Sequence, residues 1–153
     1  MGTLQPILAK HPFFAGLEEP QLKLLAGCAS NERYKVGDFL FHEGQEARRF
    51  FILREGLVAI EIQVSGDGPV TLYTHDAGDI IGWSWLFAPY HWHFSARVVQ
   101  PARVIALDGV CLRGKCETDH ELGYEFLKRF SAKMSYTLDM TRMQLLDMFK
   151  FEA

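Results

Sequence analysis

Apolar residues along this chain change their spacing twice, from a helical period to an alternating one and back again. In GLEEPQLKLLAGCA, which starts at residue 16, Leu22, Leu25 and Cys28 recur at helical spacing behind an acidic front that contains a proline. Such a stretch is typical of a short amphipathic helix. We therefore expect N-terminal helices over residues 1–30, packed through the two adjacent phenylalanines that precede this stretch.

The middle of the chain, from Tyr34 to about Leu107, alternates between apolar and polar positions in short runs. Residues that favour strands fill these runs, and Gly, Asp or Pro bounds them. The sequence SGDG at 65–68 is typical of a hairpin turn. Strands that follow one another without crossover helices predict an antiparallel sandwich or barrel over residues 31–110. The runs are YKVGDFLFHEG, RRFFILREG, LVAIEIQV, GPVTLYTHDAG, DIIGW, FSARVVQ and ARVIALDG.

After Asp108 the helical period returns and lasts almost to the end of the chain. Thr118 and Glu121 have the spacing of a capping box, which predicts that Thr118 is the N-cap of a helical segment over residues 118–150. A helix of this length cannot bury its whole apolar stripe on a compact barrel, so we expect a second copy of the chain to cover it. The stripe runs through Leu127, Phe130, Met134, Leu138, Thr141, Leu145 and Met148.

Composition narrows the class of protein. The 153 residues, of which 48% are hydrophobic, suffice for one core, so we expect a single domain over residues 1–153. A net charge of −3 and 16 scattered lysines and arginines do not favour nucleic acid as a partner. No apolar run approaches the roughly 20 residues of a membrane span, and no signal peptide is recognisable. We expect a cytoplasmic protein without a membrane partner.

The cysteines Cys28, Cys111 and Cys116 lack the C-x-x-C spacing of zinc sites and redox motifs. Their odd number also argues against a framework of disulfides. We expect reduced thiols, with Cys28 in the core.

A long run of glycines and apolar residues lies between Tyr34 and Ile60, and its order is specific. With HPFFAGLEEPQLKLLA before it and RFSAKMSYTLDMT, residues 129–141, after it, the run resembles the cyclic-nucleotide-binding domain of the catabolite-activator and protein-kinase-A regulatory-subunit superfamily. The resemblance implies a mainly β fold with flanking helices: a double-stranded β-helix, or jelly roll, that dimerises through its last helix. The positions that carry it are Gly37, Phe41, Gly44, Ala47, Phe51, Ile52, Leu53, Gly56 and Val58.

Regulators of the catabolite-activator type continue past this helix into a helix-turn-helix domain that binds DNA. This sequence ends at Ala153, soon after the helix, so we expect no DNA-binding domain and no direct contact with nucleic acid. Thr141 matches the position where a hydroxyl of the catabolite activator reaches the adenine across the dimer. Because Thr141 also falls in the apolar stripe, packing at the dimer interface explains it equally well.

The segment GDIIGWSWLFAPYHWHFSARV, residues 78–98, resembles the family's phosphate-binding cassette without its two nucleotide-reading residues. In the family, a glutamate after the glycine equivalent to Gly82 binds the ribose 2′-hydroxyl, and an arginine before a pair of small residues neutralises the cyclic phosphate. Trp83 stands in place of the glutamate, and Phe94, next to His93, stands in place of the arginine. This chemistry needs a carboxylate and a guanidinium, so we do not expect cyclic AMP to bind through the usual contacts.

Groups that could bind an anion remain in the segment. Gly82, Ser84 and the Ser95-Ala96 pair could offer N–H groups and hydroxyls. Arg97 lies two residues after Ser95, on the same face of a strand. It either supplies the missing positive charge from a shifted position or is a surface arginine paired with a carboxylate.

Four aromatic residues crowd the same segment: Trp83, Trp85, Phe87 and Trp92. One alternative is that they fill the cavity and make it part of the core. The other is that they line an apolar pocket for a ligand.

Histidines raise the question of a metal site. His91 and His93 form an H-x-H pair, and His42 and His75 lie on other strands. Cupins bind a metal through such a pair together with a glutamate and a distant histidine, but the next glutamate in this chain is Glu117. Structural or surface histidines are therefore favoured over a metal site.

These observations predict a non-enzymatic regulatory or sensor domain with no required cofactor, since no catalytic constellation is recognisable. One hypothesis is a sensor that binds a small anionic or aromatic ligand, cyclic nucleotides included, between Trp83 and Arg97. The second is a homodimeric interaction module with an aromatic-filled pocket and a protein partner but no ligand. The third is a cupin-like, metal-dependent enzyme that uses His91 and His93.

Overall fold

The computed structural model describes residues 4–152, and side chains from residue 4 to residue 149. The chain divides into two compact units, one up to Gly114 and one from Lys115 onward. Within the described residues, a sheet of six strands follows the N-terminal helices and precedes the C-terminal ones. The elements are α1 (Gln5–Lys10), a 3-10 turn (Pro12–Phe14), α2 (Glu19–Gly27), β1 (Ala29–Tyr34), β2 (Phe39–Phe41), β3 (Arg49–Val64), β4 (Gly68–His75), β5 (Ile80–Ile81), β6 (Ser95–Asp108), α3 (Gly109–Thr118) and α4 (His120–Glu152).

Two long antiparallel strands, β3 and β6, are the spine of the sheet. β1 and β2 pair with β6, while β4 and β5 pair with β3. Both long strands bend where Gly56 approaches Pro101: Gly56 has a φ of 102°, and a Cβ on it would lie 2.5 Å from the Pro101 carbonyl oxygen. The register of the pair shifts between Leu53 and Val58. These bulges curl the sheet into the roll that the sequence predicts.

The antiparallel roll with flanking helices is confirmed, whereas the division into strands differs from the prediction. RRFFILREG and LVAIEIQV join across Gly56 into β3, and FSARVVQ and ARVIALDG join across Pro101 into β6. Glycine and proline at a bulge bend these strands without ending them. Except for Tyr34, β1 lies outside the predicted runs because its sequence, ASNERY, is polar; it is held by antiparallel pairing with β6 along its whole length.

The N-terminal helices are shorter than the pattern predicts. The helix expected over 16–29 is α2, and in its first turn the Gln21 side chain accepts a hydrogen bond of 3.0 Å from the Glu18 N–H. Leu25 is fully buried. Cys28, expected in the core, is only half-buried, because the helix ends one residue before it.

Two helices follow the roll, and aspartates cap both. Asp108 Oδ1 accepts from the Cys111 N–H of α3 at 3.0 Å, and Asp119 Oδ1 accepts from the Leu122 N–H of α4 at 3.1 Å. The capping box predicted for Thr118 is therefore wrong. Thr118 is the last residue of α3, and its hydroxyl donates to a carbonyl of that helix, which leaves the carboxylate of the next residue to cap α4.

The buried stripe of α4 is only in part the predicted one. Leu122, Phe126 and Phe130 are buried, whereas Leu127 is 45% exposed. Further along α4 the predicted stripe is exposed, at Leu138, Thr141, Leu145 and Met148.

Among residues 4–152, no helix combines the length and the apolar character that crossing a membrane needs.

Candidate functional site

The cassette segment leaves the sheet at β5 and returns to it at β6. Gly82 follows β5 directly, and residues 83–90 form turns. In the first of these turns the Leu86 N–H donates to the Trp83 carbonyl at 3.0 Å. A turn, and not a helix start, therefore follows the cassette glycine.

The returning arm of the segment is fastened to the loop between β2 and β3 by backbone hydrogen bonds. The Trp92 N–H donates to the Gln45 carbonyl at 2.9 Å, and the Trp92 carbonyl accepts from the Gly44 N–H at 2.8 Å. Two residues earlier, the Tyr90 carbonyl accepts from the Ala47 N–H at 2.7 Å. Gly44 and Ala47 are two of the glycine and apolar positions that carry the family resemblance, so this loop holds the arm in place.

The Trp92 side chain takes the space beside the cassette glycine. Its indole is 4% exposed and stacks on the Phe41 ring with 3.6 Å between the ring centroids and 9° between the planes. Gly82 has a φ of 99°, and a Cβ on it would lie 2.6 Å from Trp92 Cη2. Glycine therefore supplies both the left-handed backbone and the room that the indole needs. The half-buried Phe94 lies 5.9 Å from Phe41, again between ring centroids.

The other aromatic residues of the segment differ in burial. Trp85 is fully buried and stacks on Phe50 at 5.0 Å between ring centroids. Trp83 is half-buried, and Phe87 is 37% exposed. Trp85 and Trp92 are thus core residues, which fits the alternative that the segment fills its own cavity.

Arg113 of α3 reaches back to the turns of the segment. Its Nη1 donates to the Trp85 carbonyl at 2.5 Å, and its guanidinium carbon lies 3.8 Å from the centroid of the Tyr90 ring. A cation over an aromatic face is attracted to it. Sequence reasoning missed Arg113, because no motif links a residue of this helix to the cassette.

The predicted hydroxyl and backbone donors have partners or are buried in this structure. Ser95 Oγ accepts from the Glu43 N–H at 2.8 Å. Ser84 is buried, and so is Ala96, which pairs with Ile60 across β3 and β6. Ser95 therefore joins the start of β6 to the loop before β3.

Arg97 forms an ion pair with a carboxylate that is almost entirely buried. Its Nε and Nη2 donate to Glu61 Oε2 at 3.0 and 2.8 Å, and the two side chains are 36% and 7% exposed. The hydrogen bond to Glu61 raises the pKa of Arg97. This geometry fits the alternative of an arginine paired with a carboxylate. Sequence reasoning missed Glu61, because a lone carboxylate in LVAIEIQV is typical of the outer face of a strand.

The four candidate histidines have different surroundings and do not share a partner in the contacts that follow. His91 and His93 are exposed, His42 stacks on a ring of β2, and His75 Nδ1 lies 3.1 Å from Asp79 Oδ2. Among the side chains that the structure describes, no three His, Cys, Asp or Glu residues are grouped so as to hold a metal ion.

Thr141 belongs to the C-terminal unit. Its side chain is exposed, and its hydroxyl donates to the Thr137 carbonyl of the same helix at 2.9 Å. A contact with an adenine stays a prediction.

A cavity of about 180 Å³ remains beside the Trp92 indole. Its lining includes aromatic rings and two arginines, Arg48 and Arg49, and the guanidinium carbon of Arg49 lies 5.0 Å from the centroid of the Phe51 ring. The cavity is smaller than most ligand sites, which measure roughly 300–1,000 Å³. It is lined by Leu40, Phe41, Gln45, Glu46, Arg48, Arg49, Phe51 and Trp92.

Comparisons with known proteins agree with this architecture. The family model described as cyclic nucleotide-binding domain matches residues 31–119. The crystal structure of a Geobacter metallireducens protein assigned to cyclic nucleotide binding has a TM-score of 0.80 and 29% identity, and the match covers 90% of this chain and 99% of that one.

Two curated proteins match over shorter stretches. The anaerobic regulatory protein of Bacillus subtilis is 25% identical over 113 residues, which are 73% of this chain and 48% of that protein. Human cGMP-dependent protein kinase 2 is 34% identical over 67 residues, 43% of this chain and 9% of the kinase. The chain thus spans less than half the length of these curated relatives.

The family model spans more than half of the 153 residues, and the signature loop and the cassette segment occupy their places in the roll. The chain therefore belongs to the cyclic nucleotide-binding domain family and has the sensor-domain fold of its catabolite-activator-like members.

Proposed function

We propose that this chain is a non-enzymatic regulatory module that works through protein contacts and does not depend on a cyclic nucleotide. The observation that carries the proposal is the Trp92 indole, stacked on Phe41 and packed against Gly82. In the family, the residue after this glycine binds the ribose. Here the chain's own indole fills the space beside that position.

The charges at the site support the same conclusion. Phe94 stands where the family's phosphate-binding arginine would be, and truncating one partner of a buried charge pair costs about 2–5 kcal/mol. Arg97 is already bound to Glu61. A cyclic phosphate that recruited Arg97 would leave a buried carboxylate without its partner, which is unfavourable.

Arg113 offers a route by which the segment acts on the rest of the unit. It joins α3 to the turns of the cassette segment through Trp85 and Tyr90. A protein partner that moves these turns would shift the helix that leaves the roll. The module would then respond to a partner in the way that a ligand-dependent relative responds to its ligand.

The exposed stripe of α4 supports a homodimer. Leu138, Thr141, Leu145 and Met148 follow one another in steps of three and four residues, which is the spacing of a coiled coil. All four are exposed in the single chain. Contiguous apolar surface of this kind marks an interaction site more often than a free surface.

Thermal unfolding with cyclic AMP or cyclic GMP tests the role of the pocket. A ligand that binds only the native state stabilises it by about 2.7 kcal/mol at 100 times its Kd. We expect no change in Tm at millimolar nucleotide, while a cyclic-AMP-binding member of the family, run in parallel, is stabilised. A rise in the Tm of this protein with either nucleotide would contradict the proposal.

Light scattering during size-exclusion chromatography tests the dimer. We expect a dimer for the unchanged chain and a monomer for Leu145→Glu, because the substitution places a charge in the apolar stripe. Met143→Glu is the matched control: Met143 is also exposed but lies off the stripe, so this variant stays dimeric. A monomeric unchanged chain would refute the dimer, and equal dissociation of both variants would show that this stripe is not its interface.

A small-molecule sensor is the second candidate, and the cavity beside Trp92 favours it. Phe51 and Trp92 offer ring faces, and Arg48 offers a cation that is 61% exposed. This cation pairs at 3.3 Å with Glu46, whose side chain is also exposed, so that a ligand can compete for it. This combination fits a small aromatic carboxylate. If benzoate raises the Tm of the unchanged chain and not that of Arg48→Gln, the sensor is supported; an equal response of both proteins rules this site out.

A further inference from the structure

Cys28 and Cys111 lie side by side at the end of the roll, although 83 positions separate them in the sequence. The two sulfur atoms are 3.4 Å apart. Cys28 comes directly after α2, and Cys111 lies in the first turn of α3. Neither residue was part of a recognisable motif, and the tertiary structure alone brings them together.

The backbone, and not side-chain orientation alone, sets this proximity. The Asp108 N–H donates to the Cys28 carbonyl at 2.9 Å, where β1 and β6 begin to pair. Asp108 Oδ1 then caps α3 by accepting from the Cys111 N–H at 3.0 Å. The same aspartate thus holds both cysteines at the junction of α2, β6 and α3.

Both cysteines are at least partly accessible to solvent. Cys111 is exposed. Cys28 is half-buried and lines an open groove of about 510 Å³ together with Arg48, Arg49 and Asp108. A small oxidant therefore has access to each member of the pair.

The third cysteine, Cys116, is half-buried and belongs to the C-terminal unit. Burial, with the negative charges of Asp119 and Glu117, raises the pKa of Cys116 to about 11. Because the thiolate is the reactive form of cysteine, Cys116 stays an unreactive thiol near neutral pH. It is the internal control for the other two.

We propose that Cys28 and Cys111 are a redox-active dithiol that hydrogen peroxide or an organic hydroperoxide converts into a reversible intramolecular disulfide. A disulfide needs the sulfur atoms about 2.05 Å apart, so the two must approach one another by a little more than an ångström. An exposed side chain and a half-buried one at the ends of two helices can make that movement by rotating about their χ1 bonds.

The chemistry balances in two steps. The Cys111 thiolate attacks one peroxide oxygen, the O–O bond breaks, and the leaving oxygen takes up a proton to give water or an alcohol. Cys111 is then a sulfenic acid. The Cys28 thiolate attacks that sulfur, the S–S bond forms, and the hydroxide that leaves is protonated to water. Two electrons pass from the two sulfurs to the peroxide.

The cross-link would tie the N-terminal helices to the start of α3. Both residues belong to the unit up to Gly114, so the bond forms within one compact body. Oxidation would fix the first turn of the helix that leaves the roll. The disulfide would form whether or not the roll binds a ligand.

Thiol counting and peptide mapping of the full chain test the pair. The reduced, desalted protein is treated with a small excess of hydrogen peroxide, quenched with catalase, denatured and reacted with a thiol reagent. We expect the number of free thiols to fall from the three of the sequence by two. Non-reducing mass spectrometry should find the Cys28 and Cys111 peptides linked, and dithiothreitol should separate them.

Single substitutions assign the roles of the cysteines. Cys116→Ser should form the same disulfide at the same rate. Cys28→Ser should leave Cys111 as a sulfenic acid that dimedone traps, whereas the unchanged chain should give little adduct.

Three results with the unchanged chain would overturn the proposal: a disulfide that contains Cys116, a disulfide only between chains, or oxidation of Cys111 to sulfinic acid. So would three intact thiols under conditions that fully oxidise free dithiothreitol. The mapping of the unchanged chain decides the question even if a variant fails to fold.

Discussion

Gly82 and Trp92 show what happens at the scale of single residues. Both stand out in the sequence, one as the cassette glycine and one as an aromatic residue in the returning arm. Ten positions separate them, yet the indole lies directly against the glycine. The path of the turns between Gly82 and Trp92 decides which aromatic residue approaches the glycine. The spacing of apolar residues does not predict that path.

Gly82→Ala should destabilise the protein strongly. The alanine would have to adopt a φ of 99°, which costs about 1–3 kcal/mol for residues other than glycine, and its Cβ would press on the Trp92 indole. We expect a decrease of roughly 2–6 kcal/mol in the free energy of unfolding, since overpacking adds about 1–3 kcal/mol to the backbone strain. Urea unfolding at neutral pH measures it.

Gly78→Ala is the matched control for this prediction. Gly78 has nearly the same φ, 98°, but a Cβ there meets open space, so only the backbone strain remains. In a Trp92→Ala background, Gly82→Ala should lower the free energy of unfolding by about as much as Gly78→Ala does in the unchanged chain, because the crowding atom is gone. Equal losses for the two glycine variants would show that the indole does not crowd Gly82.

Arg97 and Glu61 illustrate the limit of a strand pattern. The alternation of β6 indicates that Arg97 shares a face with Ser95, and pairing with a carboxylate was one of the two alternatives for it. The partner's identity depended on the register between β3 and β6, in which Glu61 lies opposite Ser95. Register is a property of two strands, so one strand's sequence does not contain it.

At the scale of elements, the start of α4 makes the clearest test. Asp119 accepts a hydrogen bond from the Leu122 N–H, and its charge is also favourable at the positive end of the helix dipole. Asp119→Ala should lower the free energy of unfolding by about 1 kcal/mol, the usual effect of losing an N-cap. Chemical denaturation followed by far-ultraviolet circular dichroism measures the difference.

Thr118→Ala is the control for the cap, because the sequence favours Thr118 and the structure favours its neighbour. The Thr118 hydroxyl donates within α3, so its removal should cost only a few tenths of a kcal/mol. If Thr118→Ala lowered the free energy of unfolding more than Asp119→Ala does, Thr118 and not Asp119 would be the N-cap of α4.

The strands show why element types were predictable and element ends were not. Short runs of strand-favouring residues between turn residues identified the segments of β2 to β6, although burial along β3 comes in blocks of four residues and does not alternate. These runs split β3 at Gly56 and β6 near Pro101, since both residues usually end a strand. Here the two breaks face one another across the sheet, and each becomes a bulge. β1 was missed because pairing with β6, and not apolar burial, holds it.

At the scale of the whole molecule, Tyr73 makes stability depend on alkaline pH. Burial raises the pKa of this β4 side chain from 10.0 to about 12. The folded state then keeps a proton that the unfolded state releases, so this contribution is fully present below about pH 10 and is lost as pH rises towards about 12.

Tyr73→Phe isolates this effect. Between about pH 10 and pH 12, the unchanged protein should lose roughly 2 kcal/mol more stability than the phenylalanine variant, which cannot ionise there. Urea unfolding of both proteins at several pH values across this range gives the difference. Parallel curves for the two proteins would show that Tyr73 ionises freely in the folded state.

Sequence and tertiary structure determined different things about this protein. The spacing of apolar residues, the glycine signature and the missing Glu and Arg of the cassette are local properties, and they sufficed for the roll, the family and the departure from its usual nucleotide contacts. Contacts between distant segments decided the rest: Trp92 against Gly82, Arg97 on Glu61, Arg113 on the cassette turns and Cys28 beside Cys111. Such contacts depend on strand register and turn geometry, which the chain acquires only when many residues pack at once.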